Sequence, residues 1–85
     1  MKAVEIYTKE SCPFCVRAKQ LLTQKGVAFV EHNLEGKPDE LEALKKKTGW
    51  RTVPQIFIGG ELIGGFSELS ALEFSGKLDE RLGTH

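Results

Sequence analysis

A strand, a helix and a second strand are written into the first third of this sequence in that order, and few architectures accept them. Ala3-Val4-Glu5-Ile6-Tyr7 is short and β-prone and reads as a strand. Thr8 to Ser11 is a polar loop, followed by Cys12-Pro13-Phe14-Cys15. Proline suits the first helical position, where its missing N–H would have no partner anyway. From Pro13 to about Lys25 good helix formers dominate, and Gly26 suits the left-handed position that ends a helix. Val27-Ala28-Phe29-Val30-Glu31 then predicts a second strand. A crossover of this length makes the two strands parallel neighbours in one sheet.

The remainder extends that sheet. A helix is predicted from near Pro38, with Asp39 and Glu40 in its first turn, to Lys45-Lys46-Lys47-Thr48, with Gly49 as its stop. Acids at the start and bases at the end both suit the helix dipole. In Val53-Pro54-Gln55-Ile56-Phe57-Ile58-Gly59-Gly60-Glu61-Leu62-Ile63, two apolar runs joined by Gly-Gly signal a hairpin. Gly64-Gly65 leads into a helix over about Ser67 to Ser75, and Lys77 to Leu82 adds a short one with Leu78 and Leu82 on one face. The order β-α-β-α-β-β-α predicts an α/β fold: a four-stranded mixed sheet with helices on both faces. The 85 residues make a single domain over 1–85, with no repeat or linker.

Composition narrows the function. Twelve Lys and Arg balance twelve Asp and Glu, so no global field draws the chain to nucleic acid or to an anionic membrane. No apolar run approaches the roughly 20 residues that span a bilayer. Met1-Lys2-Ala3-Val4-Glu5 does not begin a secretory leader, so a cytoplasmic protein is expected. There are only two cysteines, and they lie too close together for their disulfide to restrain much of the unfolded chain. They cannot complete a four-ligand zinc site, and His32 and His85 are isolated, so no metal is expected. Redox chemistry is the use that remains.

The placement of the pair supports it. Cys12 falls at the cap of the first helix, where unpaired N–H groups of Phe14 and Cys15 face its sulfur. A thiolate is the anion that this geometry stabilises, and the first turn carries no acid to compete. An unperturbed thiol, with a pKa near 8.5, is only a few per cent ionised at neutral pH, so such help matters. Cys15, Ala18 and Leu22 fall at i, i+3 and i+7 and mark the buried stripe. Cys12 is therefore the expected nucleophile and Cys15 the expected resolving thiol. The bland alternatives are two inert cysteines or half of a metal site.

Lys9 with Cys12-Pro13-Phe14-Cys15, then Thr52-Val53-Pro54, then Gly64-Gly65, resembles the dithiol glutaredoxins of the small bacterial type over nearly the whole chain. The resemblance implies a thioredoxin fold without the extra front strand and helix of thioredoxins proper. It implies a cis Val53-Pro54 bond beside the cysteines, and a backbone pairing of Val53 with the cysteinyl part of glutathione. Glutathione carries two carboxylates. Lys9, with Arg51 or Gln55 as helpers, is expected near the glycyl one, and the Gly64-Gly65-Phe66-Ser67 turn near the γ-glutamyl one. Phe14 is the aromatic wall, and Thr52, Pro54 and Gly65 complete the contacts. The chain departs from the commonest family pattern at Phe14, usually Tyr, and at Ser67, where an acid often stands; Glu68 is adjacent.

The implied activity is glutathione-dependent reduction of protein–glutathione mixed disulfides and of protein disulfides. Expected partners are glutathione and glutathionylated or disulfide-containing proteins, ribonucleotide reductase among them by family resemblance, with the protein a monomer. The rivals are a redoxin of the same fold reduced by thioredoxin reductase, an iron–sulfur module held by Cys12 and glutathione, and a non-catalytic adaptor. Elsewhere the readings are plainer. Lys45 to Lys47 is a solvated helix end, Phe29, Phe57 and Phe74 belong to the core, and His32 lies on the surface. Trp50 either caps the core beside Pro54 or lies exposed.

Overall fold

A computed structural model describes residues 2–83. Strand β1 (Val4–Thr8) leads through a short loop to helix α1 (Pro13–Gln24), and β2 (Val30–Asn33) follows. Helix α2 (Pro38–Thr48) precedes the hairpin of β3 (Gln55–Ile58) and β4 (Glu61–Gly64), and α3 (Phe66–Phe74) and α4 (Leu78–Leu82) close the chain. The sheet order is β2-β1-β3-β4. β1 runs parallel to β2, from Glu5 opposite Val30 to Thr8 opposite Asn33, and antiparallel to β3, with Ile6 opposite Ile56. β3 and β4 are antiparallel, with an irregularity between Ile56 and Phe57. This is the thioredoxin fold, a mixed four-stranded sheet flanked by helices. Among the described residues no helix is long and apolar enough to cross a membrane.

Local chemistry accounts for most boundaries. Gly49 ends α2 in the left-handed conformation, at φ 74°, and its N–H donates to the Lys45 carbonyl. The hairpin turns at Gly59 and Gly60, with φ of 61° and 81°, the pair of positive values that a type I′ turn requires. The second strand differs from the expectation of Val27 to Glu31. Val27 is buried, but its N–H donates to the Leu22 carbonyl and so prolongs the end of α1. Pairing with β1 begins only at Val30, and β2 is an edge strand with mostly exposed residues.

Alternation along the strands sorts the two faces. Val4 and Ile6 of β1 and Ile56 and Ile58 of β3 meet Ala18 and Leu22 of α1, Leu69 of α3 and Leu78 and Leu82 of α4 in one core. Gln55 and Phe57 point the other way, and Thr48 of α2 bonds to Gln55, so α2 covers that side. Phe29 packs on the core, as expected. Phe57 instead lies edge-on to Tyr7, ring centres 5.6 Å apart, outside that core. Phe74 is 95% exposed, because the last residue of α3 has turned off the buried stripe that contains Leu69. His32 is half-buried rather than free: its ring stacks on Tyr7 at 4.5 Å and its Nε2 lies 3.1 Å from Glu5 Oε1. His85 is outside the described residues.

Candidate active site

The loop after β1 presents the cysteine pair, and three elements hold it. Thr8, at the end of β1, is buried and donates its hydroxyl to Glu31 Oε2 at 2.6 Å, which Lys19 Nζ also meets at 3.0 Å. The Thr8 hydrogen bond, then Lys19, holds the Glu31 carboxyl below the usual glutamate range. One step on, the Glu10 N–H donates to Glu35 Oε1 at 3.1 Å. The Glu35 N–H donates to Asn33 Oδ1 at 2.9 Å, and Asn33 Nδ2 donates to Glu10 Oε1 at 3.3 Å. This closed ring ties the loop to the end of β2. Ser11 follows at φ 52°, a left-handed conformation that a non-glycine residue adopts at some cost.

Cys12 is the N-cap of α1, with extended backbone and no acid in the first turn. Its Sγ accepts the Cys15 N–H at 3.2 Å. Of the two N–H groups expected to face the sulfur, that of Cys15 makes the contact. Cys12 and Cys15 are joined in a disulfide, with Cα atoms 5.2 Å apart. Cys15 is 1% exposed, whereas Cys12 is half-buried. Cys12 is therefore the more accessible of the two residues. The asymmetry follows from helix geometry, because Cys15 starts the inward stripe continued by Ala18 and Leu22.

Across from Cys12, the Val53-Pro54 bond is cis, and the Val53 carbonyl oxygen lies 3.8 Å from Cys12 Sγ. The loop carrying Val53 is anchored from behind. Gln55 is fully buried, its Nε2 donates to the Trp50 carbonyl at 2.7 Å, and its Oε1 accepts from Thr48 Oγ1 at 3.0 Å. Its amide is thus committed internally, which corrects its expected part in holding a carboxylate.

A groove of about 390 Å³ opens beside the cysteines, lined by Phe14, Trp50, Thr52, Val53, Pro54, Gly65, Phe66, Ser67 and Glu68. Phe14 and Phe66 stack across it with ring centres 6.2 Å apart. Gly65 caps α3, and its N–H donates to Glu68 Oε1 at 2.9 Å. The N–H groups of Phe66 and Ser67, in the first turn of α3, have no carbonyl to meet within the helix and are donors for an anion. Lys9 lines a different cleft, with Cys12, Cys15, Lys19 and Asn33. Arg51 is exposed, next in sequence to Trp50 and Thr52 of the groove.

Sequence reasoning left Trp50 between two readings, and it proves to be a groove residue. Its Nε1 is buried and has no hydrogen-bond partner among the described residues. Its position after Gly49 and before the Thr52-Val53-Pro54 motif is the only signal that could have placed it there. Among the described residues no group of three or more His, Cys, Asp or Glu gathers where it could hold a metal ion.

A helix-capped cysteine pair, a backbone carbonyl opposite it and a groove ending at a helix N-terminus suit thiol–disulfide exchange with a small anionic thiol. Comparison with known proteins agrees. The glutaredoxin family model matches residues 4–63. The chain is 52% identical over 82 residues to a glutaredoxin of Pseudomonas aeruginosa, a match covering 96% of this chain and 98% of that one. It is 51% identical over 82 residues to glutaredoxin 3 of Escherichia coli K12, covering 96% and 99%. A crystal structure of a buckwheat glutaredoxin–glutathione complex superposes with a TM-score of 0.88 at 32% identity, covering 96% of this chain and 77% of that one.

Proposed function

The chain belongs to the glutaredoxin family, as a glutathione-dependent thiol–disulfide oxidoreductase working through a cysteine pair, and from that premise we propose the role of each residue. Cys12 is the nucleophile and Cys15 the resolving thiol; the observation that carries this is the exposure of one sulfur and the burial of the other. Glutathione lies in the groove with its cysteinyl backbone against Val53 and its γ-glutamyl carboxylate at the N–H groups of Phe66 and Ser67. Thr52, Pro54, Phe14 and Gly65 shape the walls. Lys9 and Arg51 attract the glycyl carboxylate from either side of Cys12.

The exchange runs as follows. The Cys12 thiolate attacks the glutathionyl sulfur of a protein–glutathione mixed disulfide. The Cys12–glutathione disulfide forms and the protein thiolate leaves, taking a proton from solvent. A second glutathione thiolate attacks the glutathionyl sulfur, which releases glutathione disulfide and restores the Cys12 thiolate. With a protein disulfide, Cys12 forms a mixed disulfide, Cys15 attacks Cys12 Sγ, and the second protein thiolate leaves. Two glutathiones then reduce the Cys12–Cys15 bond in successive exchanges. The Cys15 N–H, which meets Cys12 Sγ at 3.2 Å, favours the departing Cys12 thiolate at each turn.

Glutathione and disulfide-bearing proteins are the partners of this chemistry, and the cytoplasm, where thiols are kept reduced, is the compartment that suits it. Ribonucleotide reductase remains the candidate that the family resemblance supplies. The deciding experiment is disulfide turnover with two electron sources, glutathione with its reductase and NADPH, and thioredoxin reductase with NADPH. Turnover with glutathione alone is expected. Turnover only with thioredoxin reductase would keep the Cys12 chemistry and remove the glutathione groove from it.

A further inference from the structure

Four large apolar side chains are exposed among the described residues, and two of them, Phe14 and Val16, lie at the start of α1 beside the disulfide. Phe14 is 53% exposed although its ring stacks on Phe66. Arg17, one turn further along α1, places its guanidinium carbon 5.5 Å from the centre of that ring. The other cations of α1 and its C-cap are paired: Lys19 meets Glu31 at 3.0 Å, and Lys25 meets Glu73 and Asp79, each at 3.0 Å. Arg17 has no carboxylate within 4.0 Å among the described residues. An aromatic face thus holds in place a cation that no carboxylate neutralises, at the rim of the reactive groove.

The groove is closed on its inner side by Pro54 and Gly65, both buried. A bulky leaving group must therefore depart over the exposed rim, where Phe14 stands. We propose that Phe14, Phe66 and Arg17 form a docking ledge for the protein half of the mixed disulfide, selecting segments in which an apolar side chain and an acidic residue flank the glutathionylated cysteine. The apolar side chain lies on the Phe14–Phe66 pair, and the carboxylate meets Arg17. The inference rests on the glutathione reading above, in which Lys9 and Arg51 serve glutathione's own carboxylate and leave Arg17 to the partner.

The test uses glutathionylated peptides of equal length, with leucine next to the modified cysteine and either two aspartates or two lysines beyond it. The mixed disulfide of glutathione with 2-mercaptoethanol, which has nothing to place on the ledge, is the reference. The acidic peptide is expected to give a kcat/KM about tenfold above the basic one at low ionic strength, narrowing in about 0.5 M salt. Arg17→Glu is expected to abolish or invert the preference while the small substrate turns over as before. Equal kcat/KM for the two peptides, or a preference that survives Arg17→Glu, would overturn the ledge while leaving glutathione chemistry intact. Failure of the unaltered protein on the small mixed disulfide would instead overturn the glutathione reading, and the ledge with it.

Discussion

Burial divides the two cysteines, and their substitutions should divide in the same way. Cys12→Ser is expected to abolish all turnover. Cys15→Ser should retain reduction of glutathionylated substrate and lose reduction of protein disulfides, since only the second route needs a resolving thiol. Equal loss in both variants, measured on glutathionylated substrate, would overturn the proposed roles. Trp50 provides an optical check, because it is the only tryptophan in the sequence and lines the groove. In Cys15→Ser, converting Cys12 to its glutathione mixed disulfide should shift Trp50 emission by several nanometres; an unchanged spectrum would place the ligand elsewhere. The cysteines were legible from spacing alone, as helix periodicity puts Cys15 on the stripe of Ala18 and Leu22. Trp50 and Gln55 were not, because their partners lie across a loop whose path the linear sequence does not state.

The start of α3 shows how much a single element can demand. Gly64 sits at φ 127°, and a Cβ there would come within 2.7 Å of Glu68 Cγ. Its neighbour Gly65 has ordinary negative φ, and a Cβ would find nothing nearer than the Pro54 oxygen at 3.4 Å. Gly64→Ala is therefore expected to destabilise the protein by about 1–3 kcal/mol, and Gly65→Ala to change its unfolding midpoint little. Chemical denaturation of both variants checks the contrast. Equal effects would mean that neither the φ of Gly64 nor its contact with Glu68 demands glycine there. The glycine pair was visible in the sequence as a turn, but which glycine is indispensable depends on a side chain that α3 brings back over it. The β2 boundary has a similar cause. Val27 is apolar enough to suggest a strand, yet it serves the core at the end of α1, and pairing falls to Val30 and the polar run from Glu31 to Asn33.

At the scale of the molecule, the last helix closes the core that supports the site. Leu78 and Leu82 are 0% and 1% exposed and pack with Leu22 and Leu69, while the Lys2 N–H donates to the Leu82 carbonyl at 2.8 Å. Leu78→Ala should cost about 2–5 kcal/mol, a large share of the stability of a chain this size, read from a thermal or urea midpoint. A loss well below that range would mean that α4 is not integral to the core. Lys25 joins the same three helices through Glu73 and Asp79; the hydrogen bond it donates to Asp79, then that to Glu73, raises its pKa. Acid has its own point of action at Glu31. Its folded pKa lies below its unfolded one, so the contribution is present above the ordinary glutamate range and is lost as pH falls through the lowered value. Glu31→Gln should lower stability at neutral pH and flatten its decline as pH falls through and below the ordinary glutamate range. Urea midpoints across that range measure it, and parallel curves for the two proteins would show that the Thr8–Glu31–Lys19 group is not linked to folding.

The sequence by itself determined the element order, the helix stops at Gly26 and Gly49, the Gly59-Gly60 turn and the different roles open to Cys12 and Cys15. All of these rest on interactions within a few residues of chain. Only the tertiary structure decided that β1 lies between β2 and β3, that Val53 faces Cys12 from 41 residues away, and that Lys9 lines a cleft separate from the groove. Those relations depend on which faces pack together. That is settled by burying one shared core, a property of the whole chain that no local window contains.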